Sequence, residues 1–179
     1  MRKKQLIRGV GLLTAGAAVI AIARRRTIPK GVTAVTDFDK DRYLGIWYEI
    51  ARLDFRYEED LSYVRAEYSL RYDGTLRVVN RGFDHRRHRW QQSIGRAKFV
   101  NNERTGQLSV SFFGPFYTGY NVIAIDEDYR YALVCGKNRN YLWLLSRKKT
   151  LPRHIEERYL RRARELGFDV DRLTWTEQV

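Results

Sequence analysis

Between Tyr43 and Arg147 apolar and polar residues exchange places at every second position, in eight runs each short enough to be one strand. The first lies in YLGIWYEIARLDFRYEEDL. It is followed by YVRAEYSLRY, GTLRVVNRGF, WQQSIGRAKFV, GQLSVSFFG, GYNVIAID, YALVCG and NYLWLLSR, which are rich in aromatic and β-branched residues. The junctions are hairpin-like: YDG at Tyr72–Gly74, NNERTG at Asn101–Gly106, DEDYR at Asp126–Arg130 and GKNRN at Gly136–Asn140. Strands joined this way form an all-β, antiparallel up-and-down meander. After the eighth run the period lengthens. LPRHIEERYLRRARELGF starts at Pro152, stops at Gly167 and carries one apolar stripe of Ile155, Tyr159, Ala163 and Leu166. That stripe predicts a helix packed on the outside of the sheet, and RLTWTE at Arg172–Glu177 reads as a short last strand.

The first run poses a question of its own. Gly45 opens it, Trp47 follows two residues later, and the polar Glu49 sits among apolar neighbours. Either this is a sheet edge with a bulky anchor, or it is the first strand of a barrel that closes around something other than its own side chains.

A chain of 179 residues, 44% of them hydrophobic, has room for one domain and a tail. Its net charge of +13 is unevenly spread. Arg2, Lys3, Lys4, Arg8, Arg24, Arg25, Arg26 and Lys30 lie in the first thirty residues, where there is no acid, which leaves 26 basic against 21 acidic residues for the body. No nucleic-acid partner is expected, because acids interrupt the basic residues elsewhere. Between Arg8 and Arg24 runs GVGLLTAGAAVIAIA, fifteen residues without a charge. As a helix it is about 22 Å long, short of a ~30 Å hydrocarbon core, although flanking arginines can snorkel. AIA at Ala21–Ala23 resembles a cleavage site, and the arginines directly after it oppose translocation. Residues 1–30 are therefore read as a signal or anchor segment forming an N-terminal hydrophobic helix, and residues 31–179 as the folded domain.

Catalytic chemistry is not evident. Cys135 lies in an apolar run as a small core residue, and one cysteine permits no internal disulfide. His85 and His88 belong to a charged hairpin tip, DHRRHRW, whose spacing is not that of a good zinc site. No nucleophile elbow or phosphate loop is present. No catalytic residue, metal or cofactor is expected.

Gly45-x-Trp47 on the first strand, Asp128-Tyr129 in the turn before the seventh, and Arg147 ending the eighth appear in order. With WQQSIGRAKF, VSFFGPFYTGYNVIAID and YALVCGKNRNYLWLLSR, they make residues 36–178 resemble the lipocalin family, and within it the bacterial outer-membrane lipoprotein branch. The resemblance implies an eight-stranded antiparallel β-barrel with the helix outside. It makes Gly45, Trp47, Asp128, Tyr129 and Arg147 structural, with the Arg147 guanidinium across the Trp47 indole at a closed floor. Bacterial relatives often carry a lipidated cysteine after the signal segment, and here there is none before Cys135.

Parity pinned by Trp47 and Arg147 then places Glu49 and Ala51 toward the lumen, and likewise Tyr141, Trp143 and Leu145. The family pattern adds Ala66, Tyr68, Val78, Asn80, Val110, Phe112, Tyr120, Val122 and Val134. Such a wall suits an acyl chain with a polar head near the mouth. The expected function is storage or transport of a fatty acid or lysophospholipid at the periplasmic face of the bacterial cell envelope, with the membrane as a partner and a homodimer left open. Two other readings are a barrel enzyme acting on a modified lipid, for which Glu49 is the candidate reactive group, and a structural envelope protein with a filled barrel.

Overall fold

The computed structural model of the protein describes residues 26–53 and 60–178. The predicted N-terminal hydrophobic helix lies outside these residues. A short helix α1 (Lys40–Tyr43) precedes β1 (Gly45–Leu53), β2 (Leu61–Leu70), β3 (Leu76–Asp84), β4 (Arg89–Phe99), β5 (Gln107–Phe113), β6 (Phe116–Ile125), β7 (Tyr131–Gly136) and β8 (Leu142–Ser146). Helix α2 (Arg153–Glu165), a 3-10 turn and β9 (Leu173–Trp175) complete the chain. Every neighbouring pair is antiparallel. Strands β2 to β8 pair in sequence order, β8 pairs with β1, and β1 pairs back with β2, so the meander closes into an eight-stranded barrel.

The α2 stripe behaves as its spacing requires. Ile155, Tyr159 and Ala163 are buried against the outward Leu133, Cys135, Leu142 and Leu144, with Leu166 packed at the edge of the same layer. The Tyr159 hydroxyl donates to the Tyr131 carbonyl at 3.0 Å, tying helix to strand. Cys135 has no exposure, and burial pushes its thiol up to about 12, as befits a core residue. A second layer fills the barrel interior around Trp47, Tyr43, Leu76, Leu108, Val122 and Val134.

Strand β1 departs from strict alternation. Its register against β8 shifts between Glu49 and Ala51, a β-bulge that puts Ala51 opposite Leu144 in the outer layer and Arg52 opposite Trp143. The expectation that Ala51 faces the lumen is thereby corrected, because one extra residue reverses the parity of everything after it. The β1–β2 ladder runs only to Tyr48↔Arg65. Beyond it β9 takes the vacated edge of β1, with Ala51↔Trp175, Arg52↔Thr174 and Leu53↔Leu173. The following tail bonds to both sides of the gap: the Thr176 amide donates to the Ile50 carbonyl at 2.9 Å, and the Tyr63 amide to the Glu177 carbonyl at 2.8 Å.

Candidate binding cavity

At the closed end Trp47 has no exposure, and its indole N–H donates to the Tyr43 carbonyl at 2.9 Å. The Arg147 guanidinium lies 3.9 Å above the indole ring. It donates to the carbonyls of Arg42 at 2.7 Å, Ile46 at 2.9 Å and Tyr129 at 3.2 Å. Gly45 adopts φ +92°, and a Cβ there would stand 3.4 Å from the guanidinium, so the glycine meets both a backbone and a packing demand. The Asp128-Tyr129 turn braces the same floor. The Tyr129 hydroxyl accepts from the Asp39 amide at 2.7 Å, and Arg42 stacks over its ring at 4.4 Å.

Above this floor three phenols meet. The Tyr120 hydroxyl lies 2.6 Å from that of Tyr43 and 2.7 Å from that of Tyr68. Burial first, and then the neighbouring tyrosines, hold the Tyr120 hydroxyl well above its ordinary range; Tyr43 is raised for the same leading reason. Tyr43 and Tyr120 stay neutral, and the three hydroxyls can act as donor or acceptor to one another.

A cavity of about 400 Å³ opens over the phenols. Glu49, Ala66, Tyr68, Val78, Asn80, Val110, Phe112, Tyr120, Tyr141 and Trp143 line it, all anticipated from parity and the family pattern. Val122 and Val134 do not. They face each other across β6 and β7 with no exposure, packed below the phenols among the floor residues. The family pattern had their face right but not their depth, which is set by the Tyr43, Tyr68 and Tyr120 rings above them. Val64, Ala97 and Leu145 extend the apolar wall, and Thr118 and Lys137 bring polar groups to it. The Tyr141 and Trp143 rings stack 6.3 Å apart along one side, with Tyr120 6.5 Å from Trp143.

Alternation missed Arg52. Only 2% exposed, it donates to the Glu49 carboxylate at 2.7 Å, to the Thr176 hydroxyl at 3.1 Å and to the Leu61 carbonyl at 3.3 Å. The Thr176 hydroxyl donates to the same Glu49 oxygen at 2.7 Å, and the Gln178 amide bridges the Glu49 and Val64 carbonyls. This buried cluster closes the seam between β1 and β2. A second charge three residues after Glu49 in an otherwise apolar run was the available signal.

The histidines stand apart from the cavity. His85 hydrogen-bonds the Ser62 hydroxyl at 2.8 Å in the exposed β3–β4 turn. Among the described residues no group of three or more potential ligands gathers to hold a metal.

A family model for a lipocalin-like domain matches residues 38–178. The chain is a lipocalin. It is 51% identical over 169 residues to the outer membrane lipoprotein Blc of Escherichia coli strain K12, covering 94% of this chain and 95% of that one. It is 50% identical, with the same coverage, to the Blc of Citrobacter freundii. A temperature-induced lipocalin-1 of Arabidopsis thaliana is 32% identical and covers 85% of this chain and 86% of its own. Among solved structures, insecticyanin of the tobacco hornworm superposes with a TM-score of 0.70 at 19% identity, over 86% of this lipocalin and 88% of that chain, which speaks to fold. The bacterial relatives carry outer-membrane names, in accord with a membrane-associated lipocalin of the cell envelope.

Proposed function

We propose that this lipocalin stores or carries a fatty acid or lysophospholipid at the periplasmic face of the envelope, held at the membrane by its N-terminal segment as an uncleaved anchor. The observation that carries the reading is a cavity of about 400 Å³ with apolar and aromatic walls and a cationic side chain, Lys137, in the β7–β8 turn at its mouth. Lys137 has no carboxylate partner among the described residues. The volume lies within the roughly 300–1,000 Å³ of small-molecule sites. An acyl chain fits the rings and an anionic head fits the Lys137 ammonium. The cavity also argues against a filled, purely structural barrel. The enzyme reading has less support, since Glu49, its candidate reactive group, is buried in an ion pair with Arg52.

Titrating fatty acids of increasing length against tryptophan fluorescence tests the proposal, Trp143 being in the wall. Each buried methylene contributes about 0.8 kcal/mol, or roughly a fourfold gain in affinity, until the cavity is full. Raising salt should weaken binding only slightly. Affinity that is flat with chain length, or binding abolished by moderate salt, would refute it. Mass spectrometry of co-purifying lipid identifies the natural occupant, and intact mass of the membrane fraction shows whether the anchor is retained.

A further inference from the structure

Five exposed aromatic side chains gather at one end of the barrel, whereas Tyr72 stands alone as an exposed ring in the β2–β3 turn at the other. Phe113 is 80% exposed and Phe116 72%, paired across the Gly114-Pro115 turn that joins β5 to β6, with Tyr117 and Phe112 beside them. Trp90, 61% exposed, is the second residue of the neighbouring β4. These residues rim the open end, opposite the Trp47–Arg147 floor. Exposed rings on a hairpin tip do nothing for the core and mark a contact surface.

The path of the chain supplies an independent observation. At the closed end the Phe38 amide bonds the Arg104 carbonyl, and Val35 exchanges bonds with Val122 and Gly106. Eight residues earlier Thr27 is held nearer the open end. Its carbonyl accepts from the Asn121 side chain at 2.8 Å and lies over Gly119, where it occupies the space a Cβ would need. Lys30 is held by Arg139 of the β7–β8 turn, which belongs to the open end. Read backward, then, the chain climbs toward the mouth. From Gly119 to Phe116 is three strand residues, about 10 Å, so Thr27, seated on Gly119, stands about that far from the β5–β6 tip. In sequence the uncharged run ends at Ala23, four positions before Thr27.

We infer that the open end of the barrel faces the membrane, with the Phe113–Phe116 tip seated in the interface of the bilayer that holds the N-terminal segment. The inference rests on the membrane attachment proposed above. Aromatic rings suit that interface. Arg89 and Lys137, on the β3–β4 and β7–β8 sides of the mouth, have no carboxylate partner among the described residues and stand ready for anionic headgroups, while Arg86 and Arg87 are paired with Asp60 and Asp84. A lipid passing between bilayer and cavity then crosses little water.

The test uses the full chain in vesicles of phosphatidylethanolamine and phosphatidylglycerol. An environment-sensitive fluorophore is placed on Phe116→Cys, or at the closed end on Tyr72→Cys, while the buried Cys135 stays unlabelled. Lipids with a spin label near the headgroup should quench the tip probe several-fold more than the Tyr72 probe, and the tip emission should shift to the blue. A probe on Lys137→Cys should lose most of its quenching when Phe113→Ser and Phe116→Ser are added, both being exposed sites. Protein that floats with the vesicles while tip and Tyr72 probes are equally aqueous overturns the docking but keeps the attachment. Protein that does not float overturns both.

Discussion

The floor of the barrel makes a prediction whose size follows from its geometry. Trp47→Ala removes a fully buried indole that touches Tyr43 at a ring separation of 4.9 Å and carries Arg147 on its other face. The rings above it are held by their own hydroxyl contacts and cannot collapse far, so the loss is about 3–5 kcal/mol. Arg147→Ala leaves the Trp47 indole in place but deprives three carbonyls of a donor and the indole of its cation. With about 0.5–1.5 kcal/mol for each hydrogen bond and about 0.5–2 for the cation–π contact, discounted because Arg147 is only partly buried, the cost is about 2–4 kcal/mol. For a domain of this length each kcal/mol lowers Tm by about 2–4 °C. The double variant should fall short of the sum by about 1 kcal/mol, since the shared contact can be lost only once. Urea unfolding of the four proteins, with and without saturating fatty acid, gives the cycle. The deficits should persist when ligand is bound, because the plug lies beneath the cavity. Additivity within about 0.5 kcal/mol would refute the stacked contact as the link between the two residues.

Trp143→Ala should weaken fatty-acid binding several-fold while lowering Tm less than Trp47→Ala does; the reverse ranking would remove Trp143 from the binding wall. Cys135 should resist thiol reagents at pH 8 until denaturant is added, because burial has raised its thiol to about 12 and leaves almost no thiolate in the folded state; rapid modification of native protein would contradict its burial. The Asp73 carboxylate is held below its ordinary range by the Thr75 hydroxyl first, then by the Thr75 amide and by Arg96 and Arg71. Its contribution is complete above the unfolded value near 4 and disappears as pH falls through the lower folded value, so Asp73→Asn should reduce the acid-side slope of stability and leave the neutral range flat. An unchanged slope would exclude Asp73 as its source.

Periodicity exposed the strands because each has one face toward the interior and one toward solvent or α2, and a period of two records that directly. Pinned by Arg147 it also sorted the eighth run by face, while the faces of β2, β3 and β5 came from the family pattern. What period two cannot record is depth. Val122 and Val134 share a face with the cavity residues yet lie under the Tyr43, Tyr68 and Tyr120 hydroxyls, and their depth depends on three rings from three other elements. Nor can it record an inserted residue. The bulge after Glu49 sends Ala51 outward and Arg52 inward with only the charge of Arg52 itself as a local trace, and the event that makes a buried arginine tolerable is remote in sequence.

That remoteness separates the two ends of β1. Near Gly45 the demands are met by a few neighbours: Trp47 bonds Tyr43 four residues back, Asp39 caps α1, and Arg147 returns from the end of the eighth strand to the same few carbonyls. Such a floor leaves a compact trace in sequence, a glycine, a tryptophan and an arginine at strand ends. Past Tyr48 the ladder to β2 stops, and the gap is closed by side chains instead: Arg52 to Glu49 and the Leu61 carbonyl, Thr176 to Glu49, Gln178 to Glu49 and Val64. Glu49 and Thr176 stand 127 positions apart, and nothing in either neighbourhood announces the other. A charged pair is costly to bury, so its presence in the wall is explained only when the tail is in place to satisfy it. The carboxylate that looked from sequence like the cavity's reactive group is thus part of the closure of the barrel, and Arg89 and Lys137 near the mouth have no carboxylate partner among the described residues.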